Sequence, residues 1–260
     1  MPSAKEMWVR RPRLHPGLRE VILVGALYVA YTSSRLLASN DEGAALDRAH
    51  VLVLIERTLK LNWEHGLNQF FLHHDVIGLL GCYWYSTAHY IVTLVVLVWL
   101  YFRGPTHYLP ARRSITVATV LALCLYLMLP TAPPRFVDGY VDILSIHSNQ
   151  GWWGADASAP KGMGDLTNEL AAFPSLHAGW SLWVALVLQR VAKHRWLRVL
   201  GWLHAGITAA VIIGTANHWV LDVLVGWLAI IAGEVAVAAF TDTPPPAPAD
   251  TTELEVDPVT

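Results

Sequence analysis

Two short stretches carry the residue types that could move protons and phosphorus: Ala172-Phe173-Pro174-Ser175-Leu176-His177-Ala178-Gly179 and Asn217-His218-Trp219-Val220-Leu221-Asp222. His218 and Asp222 are four residues apart, so on a helix they share a face. A carboxylate behind a neutral imidazole fixes its tautomer and leaves the other ring nitrogen nucleophilic. A second imidazole, His177, can act first as acid and then as base, because its ordinary pKa of about 6.5 lies near neutrality. Pro174 suits a first helical turn, where its missing N–H costs nothing. That places Ser175 and His177 at a helix start, where free N–H groups and the positive dipole end favour an anion such as phosphate. Two imidazoles, one carboxylate and two helix N-termini suffice for phosphoryl transfer with neither metal nor cofactor.

Each assignment has a plainer alternative. A lone His-x-x-x-Asp on an apolar helix is usually an interhelical polar contact. Joined to Pro-Ser-x-His in a second apolar run, the pair favours a functional site. Arg135, after Pro133-Pro134, can cap its helix or snorkel. Ser175 can cap a helix and also touch phosphate. Asn217 reads as the N-cap of the last helix. Tyr85 and His89, one turn apart, are candidates to line a substrate pocket, against a structural role. His204 reads as a packing contact. Asp138, Asp142, Asp165 and Glu169 match no metal-loop spacing, so no metal site is assigned. Cys82 and Cys124 fall inside apolar runs and read as packing thiols.

The elements that must position these groups are apolar helices. Of the 260 residues 54% are hydrophobic and 15% charged, against about 25% charged in soluble domains, and mean hydropathy is +0.40. The apolar residues come in long blocks, which predicts an all-α fold: a polytopic membrane bundle of six transmembrane helices with short interfacial helices. The six spans are 18–38, 76–102, 115–129, 174–191, 197–214 and 218–240. The first is read as an uncleaved anchor. Residues 44–61 mix apolar and charged residues and suit a helix at the interface or packed on the bundle. Residues 62–75 suggest a second short helix with Trp63, Phe70 and Phe71 as interfacial anchors. Residues 103–113 read as a basic loop. The span 115–129 would rise only about 22 Å and end in a recess. The domain organisation is a basic N-terminus over 1–17, one membrane domain over 18–240, and a Pro-rich acidic tail over 241–260, expected to be disordered. A net charge of −2 gives no basic surface for nucleic acid.

The two stretches resemble the type-2 phosphatidic acid phosphatase superfamily, and more narrowly its branch of inositol phosphorylceramide synthases. The resemblance spans roughly residues 80–232. Pro174-Ser175-Leu176-His177 matches the family's second motif, His218 to Asp222 the end of its third, and Arg135 the phosphate-holding Arg that ends its first. The resemblance implies that His218 attacks phosphorus, Asp222 orients its ring and His177 handles the proton of the leaving and entering alcohol. It implies a membrane lipid substrate and no cofactor. The chain departs from the pattern at Met128, where a Lys is usual, and at Val211 and Ile212, where Ser-Arg is usual. Backbone N–H groups, Ser175 and Lys161 are candidates to substitute. The expected activity is therefore a lipid phosphotransferase through a phosphohistidine, with a polyol such as inositol as acceptor. A plain lipid phosphatase acting on phosphatidic acid or a prenyl (di)phosphate is the alternative, and a non-catalytic scaffold the second.

Six spans would put Arg135, His177 and His218 on one side of the membrane by parity. The segments 1–19, 103–113 and 190–198 hold twelve Lys and Arg, and the opposite loops hold five. By the positive-inside rule the site faces away from the cytoplasm, in the plasma membrane. A cysteine placed at Gly154 is expected to react with an impermeant thiol reagent outside intact cells, and one at His194 is not. The reverse labelling pattern would place the site inside.

Overall fold

The computed structural model describes residues 16–37, 41–153, 161, 170 and 172–241. The basic residues before position 16, Gly154, Gly162, Gly164, Asp165, Glu169 and the acidic tail lie outside the described residues. Among the described residues nine helices follow in order: α1 (Pro16–Leu37), α2 (Glu42–Leu59), α3 (Glu64–His73), α4 (Asp75–Arg103), α5 (Pro105–Met128), α6 (Ile143–Ile146), α7 (Leu176–Val191), α8 (Arg195–Gly214) and α9 (Val220–Thr241). Single 3₁₀ turns occur at Pro134–Phe136 and Ser148–Gln150. No strand occurs among the described residues. Thr131 pairs with Leu170 and Ala172 through its backbone only. A chain facing lipid must satisfy its backbone internally, which selects helices.

Asp75–Arg103, Pro105–Met128, Arg195–Gly214 and Val220–Phe240 are long and apolar enough to cross a membrane. Among the described residues four helices meet that test, where six spans were expected. The helix α7 has 16 residues, a rise of about 24 Å against a hydrocarbon core of about 30 Å, and α1 is not among the four. The expected loop over 103–113 does not form. Gly104, at φ 99, is the single break between α4 and α5, and Pro105 opens α5 at the position where a missing N–H costs nothing. The helix therefore runs 24 residues, about 36 Å, and is not the short span expected. Pro174 also lies outside its helix: α7 starts at Leu176 with Ser175 as N-cap, whose Oγ accepts from the Ala178 amide at 3.3 Å.

The helices α4, α5, α7, α8 and α9 form the bundle. The helix α7 lies between α8 and α9, α5 packs along α9, and α4 crosses α5, α7 and α8. Small residues allow the close approaches. A Cβ on Gly226 would lie 2.2 Å from the Ser175 carbonyl oxygen, and one on Gly233 would lie 2.5 Å from that of Ser114. Phe71, expected as an interfacial anchor, is instead 5% exposed. Its ring fills the space left by two glycines, Gly81 of α4 and Gly214 of α8, whose added Cβ atoms would meet it at 2.6 and 2.5 Å. Trp63 and Phe70 are exposed. At one end of the bundle, acids and cations pair: Arg112 with Glu20 at 2.6 Å, and Arg190 with Glu234, which also accepts from Ser114 Oγ at 2.7 Å. Both thiols are free, Cys82 buried and Cys124 exposed.

Gly226→Ala is expected to push α9 off the start of α7, at a cost of about 1–3 kcal/mol for an overpacked contact. Gly206→Ala, where an added Cβ meets nothing within 4 Å, is expected to leave stability unchanged or raised. Thermal unfolding midpoints of the two variants in detergent check this. Equal midpoints would show that the Gly226 contact is slack.

Candidate active site

The turn between α8 and α9 delivers His218. Ala216 adopts a left-handed backbone at φ 59, which costs an L-residue about 1–2 kcal/mol. The amides of both Asn217 and His218 then donate to the Ile212 carbonyl at 3.1 Å. His218 is buried, and its Nδ1 has two acceptors, the Ala172 carbonyl at 2.8 Å and Asp222 Oδ2 at 3.3 Å. Two acceptors on Nδ1 assign the proton there and leave Nε2 as the lone-pair nitrogen. Burial drives this ring well below the ordinary imidazole range. The Ala172 carbonyl opposes the shift and Arg135 adds to it. The ring is therefore neutral near pH 7. Asp222, fully buried, is shared: its Oδ2 also accepts from the Trp219 amide at 2.8 Å. The carbonyl of Ala172 is thus the nearer partner of His218, a contact that no side-chain pattern announces.

His177, in the first turn of α7, faces this ring at 5.5 Å between centroids. It lies between two residues of α4. Tyr85 stacks on it at 4.6 Å and 16°, and His89 meets it at 3.8 Å. The structure therefore brings Tyr85 and His89 to the same place as His177 and His218. Ser175 is fully buried, caps α7, and donates its amide to the Asp222 carbonyl at 3.0 Å, which ties the start of α7 to α9.

Arg135 approaches from the 3₁₀ turn after α5. Its amide donates to the Ala216 carbonyl at 3.0 Å and its Nη1 to Asn217 Oδ1 at 2.7 Å, while Nε lies 3.6 Å from Asp142. Asn217 is therefore not an N-cap. Its Nδ2 donates back to Thr215 and its Oδ1 holds the guanidinium. Asp142, weighed above as a possible metal ligand, caps α6 at the Ser145 amide and pairs with Arg135. Lys161 is exposed, and its amide donates to the Trp152 carbonyl.

The model of the PAP2 superfamily matches residues 50–236. The chain belongs to that superfamily. No curated protein matches the chain, and no solved structure does. Membership makes this an integral membrane protein of the lipid phosphatase and phosphotransferase type.

Three positions that depart from the PAP2 pattern have physical settings of their own. Met128 is exposed at the end of α5, and Val211 and Ile212 are buried in a cluster with Phe71, Tyr85 and Ala178. A cation at Ile212 would sit in that apolar cluster at a high desolvation cost.

The start of α9 also departs from expectation. Its amides are not open to an anion, because carboxylates already hold them. Trp219 N–H goes to Asp222, Val220 N–H to Glu64 Oε1 at 3.0 Å, and Leu221 N–H to Glu56 Oε1 at 2.7 Å. Glu56 and Glu64 are each 1% exposed. Burial first, and then contact with the Glu64 carboxyl, pushes Glu56 up from 4.5 to about 9. The amide of Leu221 works against that shift. Sequence reasoning missed both acids. The available signal was spacing: Ala45, Ala49 and Glu56 fall on one helical face, and both alanines are buried.

Because folded Glu56 holds its proton more tightly than the unfolded chain, its contribution is fully present below about 4.5 and is lost as pH rises towards about 9. The thermal midpoint in detergent is expected to fall across that window, with a shallower fall in Glu56→Gln. An unchanged slope in that variant would mean that Glu56 does not titrate there.

Proposed function

We propose that this protein is a lipid phosphotransferase of the inositol phosphorylceramide synthase kind, working through a phosphohistidine on His218. The observation that carries the reading is the fork on His218 Nδ1, which frees Nε2 beside the His177 ring. In the first step Nε2 attacks phosphorus, the bond to the leaving lipid or headgroup oxygen breaks, and His177 gives that oxygen its proton. In the second step His177 takes the proton of an alcohol, whose oxygen displaces His218 from phosphorus. Asp222 and the Ala172 carbonyl stabilise the charged ring between the steps. Arg135 neutralises phosphoryl oxygens, exchanging Asn217 for them. Ser175, Tyr85 and His89 frame the substrate around His177. The site faces away from the cytoplasm.

A lipid is supported by an apolar groove of about 280 Å³, lined in part by Tyr90, Leu94, Leu97, Ile115 and Trp180. Two of its lining residues, Tyr90 and Trp180, have ring contacts with His89, the ring that meets His177. A diester is supported by charge. Arg135 is the family-motif cation this chain retains, and a diester carries one negative charge where a monoester carries nearly two. Coulomb attraction scales with that charge.

Initial rates in detergent on phosphatidylinositol, phosphatidic acid and a prenyl phosphate test the reading. The diester is expected to be fastest, with lipid release accelerated by added inositol. His218→Ala is expected to lose at least about 1,000-fold while still inserting and folding. Rates highest on the monoesters and unmoved by inositol would establish a lipid phosphatase instead. Turnover retained by His218→Ala would remove the phosphohistidine route.

A further inference from the structure

Three consecutive amides, Trp219, Val220 and Leu221, each meet a carboxylate oxygen, and only the first is served from its own helix. The other two oxygens come from Glu56 on α2 and Glu64 at the start of α3. Both side chains are buried, and each presents one oxygen to an amide. The second oxygen of Glu64 has no hydrogen-bond donor. Two bare carboxylates side by side in a dry site repel each other. A single proton on the Glu56 oxygen facing Glu64 removes the repulsion and supplies the missing donor.

We propose that Glu56 and Glu64 share one proton and together act as a positioning pair for His218. Glu56 accepts from the Leu221 amide and donates its O–H to Glu64, and Glu64 accepts from the Val220 amide. With Asp222 on Trp219, the pair clamps the backbone that directly follows His218. That clamp fixes the ring relative to the Ala172 carbonyl and to His177. Neither glutamate touches substrate, and both act through the backbone of α9. This proposal rests on the phosphohistidine reading of His218.

The pair makes an unusual pattern of substitution effects. Glu56→Gln reproduces the protonated acid, with an oxygen for Leu221 and an N–H for Glu64. Glu64→Gln is also tolerated, because Glu56 can then ionise and accept from the new amide. The double variant turns two NH₂ groups towards each other and leaves both without an acceptor. Each single variant is expected to stay within about threefold of wild-type kcat, whereas the double falls at least about tenfold below the product of the two. Glu56→Leu, which offers Leu221 nothing, is expected to lower kcat about tenfold or more, with KM within about threefold. Thermal midpoints of the same four glutamine-cycle proteins in detergent should show the same non-additivity. A double variant no worse than the product of the singles in kcat and midpoint overturns the shared proton. A Glu56→Leu protein with wild-type kcat overturns the positioning role. If wild-type protein turns over no lipid phosphate, the functional reading fails, and the midpoint cycle still decides whether the proton is shared.

Discussion

The start of α7 lies directly against the first turns of α9, and the rest of the site depends on that contact. Gly226 leaves no side chain where the Ser175 carbonyl sits, and the Ser175 amide reaches back to the Asp222 carbonyl. One helix start carries His177 and the other follows His218, so their separation is set by backbone against backbone. Side chains change rotamer within nanoseconds, whereas packed backbones do not. Two imidazoles proposed to exchange a phosphoryl group and a proton with one substrate are better held this way than by long side chains.

Most polar atoms around this contact have partners, as buried donors and acceptors need, although Asp222 Oδ1 and Glu64 Oε2 have none. Asp222 serves a ring nitrogen and an amide, Asn217 serves Arg135 and Thr215, and Trp219 gives its indole N–H to the Ala132 carbonyl at 2.9 Å. Removing one member leaves another buried group unpaired, at about 1–3 kcal/mol each. The site is therefore part of the structural core and not a pocket added to a finished bundle.

Much of this was legible in the sequence because short-range spacing on helices is rigid. His218 with Asp222 and Tyr85 with His89 lie four residues apart, the spacing that shares a helix face, and Ser175 and His177 fall at the start of α7. Arg135 was singled out by its resemblance to the Arg that ends the family's first motif, and the structure sets it against Asn217. What was not legible depended on distant chain segments or on backbone atoms. The Ala172 carbonyl has no side-chain signature. Phe71 is aromatic in a short amphipathic stretch and looks like an interfacial anchor until Gly81 and Gly214 are seen to make room for it. Asn217 has the composition of an N-cap, but Arg135 claims its oxygen first. The basic residues of 103–113 suggested a loop, yet Pro105 is as good a helix opener as a loop residue, and Arg112 finds Glu20. The number of membrane spans was not legible from hydropathy and length alone: α7 has only 16 residues against the roughly 20 a crossing usually takes, yet Arg135 after α5 meets Asn217 before α9, so α7 and α8 must cross as a pair or not at all.

The carboxylates on α2 and α3 also bear on the order in which the molecule is made. A ribosome delivers the chain from its N-terminus at about 5–20 residues per second. Glu56 and Glu64 therefore emerge more than 150 residues before Val220 and Leu221, the amides they will hold. Until α9 arrives, the two acids have no such donors, so they favour the water at the membrane surface over the bundle interior. The helix that closes the bundle is thus also the one that draws α2 and α3 inward, and the nascent chain can have no assembled site before its last helix is in place.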